Sequence, residues 1–77
     1  MHNVRLKLKM LLKLETLLNV LKPVETVIIF DEHGKILARG PVETIKSTMV
    51  DLQKRKVKNV VSDYYYEKSL IEIILKD

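Results

Sequence analysis

The chain has 77 residues, 47% of them hydrophobic, with two Gly, two Pro and no Cys; this is the composition of one folded domain over 1–77 and excludes a disordered chain, a disulfide framework and a thiolate metal site. A net charge of +4 admits an anionic partner, whereas no apolar run reaches the roughly 18 residues of a membrane span and no apolar signal core opens the chain, so a cytoplasmic protein is expected. A domain this small buries only about 60 to 65% of its unfolded surface, which makes efficient use of the core a requirement.

The positive excess sits in two blocks, five basic against one acidic residue over 1–22 and five against two over 43–58. In the first, Met10, Leu11, Leu14, Leu17, Leu18 and Leu21 recur at the three- and four-residue spacing of one helix face. Val4 to Lys9 alternates apolar with basic, a strand pattern, but no turn residue separates it from Met10. The reading adopted is a single helix from about Asn3, its candidate N-cap, to Lys22, stopped by Pro23.

Val27-Ile28-Ile29-Phe30 and Ile36-Leu37-Ala38 flank Asp31-Glu32-His33-Gly34. β-Branched and aromatic residues around an Asp-to-Gly turn predict a β-hairpin, and Gly40-Pro41 punctuates its end. A second helix is expected from about Glu43 to Arg55, with Ile45, Met49 and Leu52 on one face and Thr44 as its cap. The remainder reads as strand, turn and strand: Val57 to Tyr66, Glu67-Lys68-Ser69, and Leu70 to Leu75.

The fold class that follows is α+β: an N-terminal helix, a hairpin, a short second helix and a C-terminal hairpin, forming a four-stranded, mainly antiparallel sheet. The first helix is expected on one sheet face, the second on the other face or at an edge. The segments VETVIIFDEHGKILARGPVETI, VKNVV and LIEIIL resemble small uncharacterised proteins encoded in phages and prophages of Gram-positive bacteria. The resemblance covers most of the chain and rests on hairpin grammar, so it implies a phage or mobile-element setting without implying any chemistry.

Catalytic constellations are not evident. Asp31, Glu32 and His33 are consecutive turn residues that point in different directions, and His2 lies on a free terminus, so no metal site or cofactor is expected. Ser47, Thr48, Ser62 and Ser69 have no paired base, and no Gly-rich phosphate loop is present, which makes an enzyme the weaker reading. Arg5, Lys7, Lys9 and Lys13 beside the Leu stripe suggest an interfacial membrane helix, but the sheet needs that helix as its cover. Lys54, Arg55, Lys56 and Lys58 with Tyr64, Tyr65 and Tyr66 form the nucleic-acid alternative, cations for phosphates and rings for bases. Strands that are apolar on both faces point instead to a protein partner, with a homodimer through Ile28, Phe30 and Ile74 as the leading expectation.

Overall fold

The structure, a computed structural model, describes residues 4–6, 12–65 and 68–76, with side chains described over 12–62 and 70–76. Its elements are β1 (Val4–Leu6), α1 (Leu14–Val20), β2 (Thr26–Phe30), β3 (Ile36–Pro41), α2 (Val42–Thr48), a 3-10 turn (Leu52–Lys54), β4 (Val57–Tyr65) and β5 (Lys68–Leu75). The expected succession of helix, hairpin, helix and hairpin is present. The strands form one sheet in the order β1-β4-β5-β2-β3, antiparallel throughout except for the central β2–β5 pair, which is parallel.

The N-terminus departs from the single-helix reading. Val4 to Leu6 pairs antiparallel with Val60 to Ser62 as a fifth strand, and α1 begins only at Leu14. The alternation of Val4, Arg5 and Leu6 is therefore a strand signal, realised because β4 offers an unpaired edge. Residues 7–11, which include Lys7, Lys9, Met10 and Leu11 of the expected helix, lie outside the described residues. Lys13 is extended and its side chain makes no cap; instead the Leu14 amide donates to the Arg55 carbonyl at 2.8 Å. Leu14, Leu17 and Leu18 then turn one buried stripe inward.

The second helix is also shorter than expected. α2 ends at Thr48, and Met49, at φ −107° and ψ 56°, leaves helical geometry. The Ser47 and Thr48 hydroxyls both donate to the Thr44 carbonyl, at 3.0 and 2.7 Å, the side-chain competition that weakens helix ends. Thr44 is thus not the cap. The first α2 amides are satisfied by chain packing: Val42 donates to the Glu25 carbonyl at 2.9 Å and Glu43 to that of Pro23 at 3.0 Å. Buried Gln53 closes the other end, its Nε2 donating to the carbonyls of Lys46 at 2.9 Å and Met49 at 3.3 Å.

Both helices cover the same sheet face, correcting the expected two-sided arrangement. Leu14, Leu17 and Leu18 of α1 and Val42 and Ile45 of α2 share one core cluster with Val27, Ile29, Ile71, Ile73 and Leu75 of the strands. In the C-terminal hairpin Lys68 and Ser69, expected in the turn, pair with Tyr65 and Tyr64 as strand residues.

Leu18 is 1% exposed and Val20, two residues on, is 76% exposed. Leu18→Ala is expected to cost about 2 to 5 kcal/mol in a urea titration, whereas Val20→Ala should change stability by less than about 0.5 kcal/mol. Equal effects would contradict this docking of α1.

Candidate functional site

Strand residues alternate between faces, so one face of the sheet lies under the helices and the other carries no helix among the described residues. In β2 the alternation is regular: Val27 and Ile29 are buried beneath the helices, and Thr26, Ile28 and Phe30 are half-buried on the open side. Register aligns neighbours on the same side. Ile28 lies opposite Glu72 and Phe30 opposite Ile74 on β5, while Ile28 also faces Arg39 and Phe30 faces Ile36 on β3. The three residues read from the sequence as an interface, Ile28, Phe30 and Ile74, therefore do share a surface. Val61, opposite Glu72, extends it onto β4. Ile36 is 53% exposed, which leaves the patch open at its β3 margin. Arg39 and Glu72 bracket Ile28 with opposite charges, and neither belongs to an ion pair among the described residues.

The second constellation is divided by the fold. Lys54, Arg55, Lys56 and Lys58 lie before and at the start of β4, whereas Tyr64 and Tyr65 lie at its far end. Lys58 and Tyr64 are about 20 Å apart along an extended strand at roughly 3.3 Å per residue. Tyr66 lies outside the described residues. Lys58 reaches Glu32 with Nζ to Oε2 of 3.7 Å, an exposed pair of small energetic weight. Two cations that the linear sequence does not group with the cluster join it through backbone pairing. Lys13 bridges Lys56, and the Lys76 amide donates to the Lys56 carbonyl at 2.8 Å. Strand register, invisible in composition, is the signal that groups them.

The Asp31 to Gly34 turn is built by its own hydrogen bonds. Asp31 Oδ1 accepts the amides of His33 at 2.8 Å and Lys35 at 2.9 Å, and Gly34 takes φ 84°, the left-handed geometry that glycine accepts without strain. The Lys35 amide is the largest influence lowering the Asp31 pKa below 3.8. Among the described residues, no group of three or more His, Cys, Asp or Glu side chains is arranged to hold a metal ion. No described helix is long and apolar enough to cross a membrane.

Comparison with known protein families, with curated proteins and with solved structures returns no match.

Because the folded Asp31 pKa lies below its ordinary 3.8, the ionised carboxylate contributes stability above that value, and the contribution is lost as pH falls through the lower native pKa. Asp31→Ala should therefore lower the melting temperature near neutrality, and its deficit against the parent should shrink in strong acid. A deficit independent of pH in paired melts would remove the carboxylate from the account of the turn.

Proposed function

We propose that this protein is a non-enzymatic binding module acting through protein–protein contact on the sheet face opposite α1 and α2, and that its partner there is a second copy of the chain. What supports the reading is one observation: Ile28, Phe30, Ile36, Val61 and Ile74 share a face that no described helix covers, with Arg39 and Glu72 on either side of Ile28. Monomers seldom leave contiguous apolar patches beyond a few hundred Å² in water.

The charges favour a copy of the same surface. A two-fold axis running along β2 superposes β3 on the partner subunit's β5, so Arg39 meets Glu72 of the partner subunit and the reverse contact forms as well. Sheets stacked in this way lie about 10 Å apart with interdigitating side chains. Each ion pair occurs twice, and each is partly shielded from water by the apolar residues around it. The resemblance of the hairpin segments extends the proposal to a phage or other mobile-element setting.

Light scattering over a dilution series from high micromolar concentration should show a reversible dimer. Arg39→Glu opposes two like charges at two places and should weaken it at least about tenfold, which is about 1.4 kcal/mol. Adding Glu72→Arg to that variant should restore most of the affinity. A constant 9.0 kDa mass would eliminate the second copy and leave the face to a different protein, while dimerisation indifferent to the charge exchange would place the interface elsewhere.

A further inference from the structure

Lys54, Arg55, Lys56 and Lys76 line a cleft of about 360 Å³, within the roughly 300 to 1,000 Å³ typical of small-ligand sites. The residues arrive from separate parts of the chain. Lys54 and Arg55 come from the end of the 3-10 turn and the linker after it, Lys56 immediately precedes β4, and Lys76 follows β5. Lys13 is not one of the lining residues, but an isolated backbone bridge pairs it with Lys56.

The backbone makes Lys13, Lys56 and Lys76 a single cross-strand row. Leu14 donates to the Arg55 carbonyl at 2.8 Å and Val57 to that of Leu12 at 2.6 Å, so Lys13 and Lys56 form the non-hydrogen-bonded kind of antiparallel pair, in which facing side chains come closest. On its other side Lys56 meets Lys76, one step beyond the Val57–Leu75 pair. Adjacent strands are about 4.8 Å apart. Like charges directly opposite are destabilising, and here three stand in line. None of these three lysines, nor Lys54, has a carboxylate within ion-pair distance among the described residues. The Arg55 guanidinium is held by the Lys76 carbonyl at 3.3 Å, which fixes one side of the cleft. A row of cations aligned by backbone pairing, with no anion among the described residues that line it, is matched by a ligand that carries several linked negative groups.

We propose that this cleft is an oligophosphate site, in which Lys13, Lys56 and Lys76 contact successive phosphate groups and Lys54 and Arg55 close the side. The shared ligand chemistry is a chain of phosphates, supplied either by a small polyphosphate or by a nucleic-acid backbone. With Tyr64 and Tyr65 at the far end of β4, recognition involves the phosphates without base stacking at this end.

The test titrates tripolyphosphate into the full chain at low salt while amide chemical shifts are followed. The proposal expects saturable shifts centred on Lys56, Lys76 and Lys13, and affinity at least tenfold weaker in the double variant Lys56→Gln/Lys76→Gln. Lys22→Gln, a charge change at the opposite end of α1, should leave affinity within twofold of the parent. A labelled single-stranded oligonucleotide forms the second arm: if it displaces tripolyphosphate, and the slope of log K against log salt falls by about 1.4 in the double variant, at about 0.7 per lost phosphate contact, the source is nucleic acid. If tripolyphosphate binds and the oligonucleotide does not displace it, the source is a small polyphosphate. Both results support the site. Removing repulsion should leave the double variant at least as stable as the parent, and a thermal melt verifies that it is folded. No saturable shift with tripolyphosphate, or equal weakening by Lys22→Gln, overturns the proposal.

Discussion

The parallel pairing of β2 with β5 sets Val27 beside Ile71 and Ile29 beside Ile73, four side chains with almost no solvent contact, and the positions of the other elements follow from it. Parallel neighbours cannot be joined by a tight turn. The chain leaves β2, returns along β3, and must then cross the sheet before it can enter β4 and come back as β5. α2 and the 3-10 turn make that crossing. They start beside Glu25 and Pro23 at the beginning of β2 and deliver the chain to Val57, opposite Leu75 at the other end. α1 makes the reverse passage, from beside Arg55 to the start of β2. Both passages lie over one face, where Leu18 and Ile45 join the same cluster as Ile73.

The open face is the direct consequence. A central strand in such a sheet needs apolar residues toward the helices, and Val27, Ile29, Ile71 and Ile73 supply them. Stability of the helix side places no demand on Ile28, Phe30 and Ile74, which point the other way. A lone monomer would be served as well by threonine or lysine at those positions. Large apolar side chains there gain their full burial value, about 1.5 to 3 kcal/mol each, only when something covers them. A small domain with a thin margin has reason to obtain that burial by association.

The sequence was most legible where structure is local. The first hairpin could be read because Asp31, Gly34 and the flanking β-branched residues specify the turn and its strands within a few positions. The buried stripe Leu14, Leu17 and Leu18 was legible for the same reason, through helical spacing. Val4 to Leu6 was misread because its pattern became decisive only when β4 presented an edge, a contact more than fifty residues away in sequence. The length of α2 was misread because the Ser47 and Thr48 hydroxyls compete for the Thr44 carbonyl and Gln53 takes over the helix end from beyond it. The face on which α2 lies was not legible at all, since a list of elements does not say on which side a connection crosses. Of the candidate site, Ile28, Phe30 and Ile74 could be grouped by alternation, whereas Lys13 and Lys76 joined Lys56 only through register.

Departures from what stability alone requires are informative when local rules are otherwise obeyed. Most of this chain obeys them: apolar stripes are buried, turns carry Asp and Gly, and no described buried polar side-chain atom lacks a hydrogen-bond partner. Two regions do not. One is the apolar face with no described helix over it; the other is the row of Lys13, Lys56 and Lys76, where backbone pairing sets three like charges side by side although any neutral side chain would cost less. These regions adjoin, since Ile74 and Lys76 are two residues apart on the same strand direction. The first is relieved by apolar cover and the second by anionic charge. Apolar cover would leave the lysine row uncompensated, and an anion would leave Ile28 and Phe30 in water, so the two departures differ in the chemistry that relieves them.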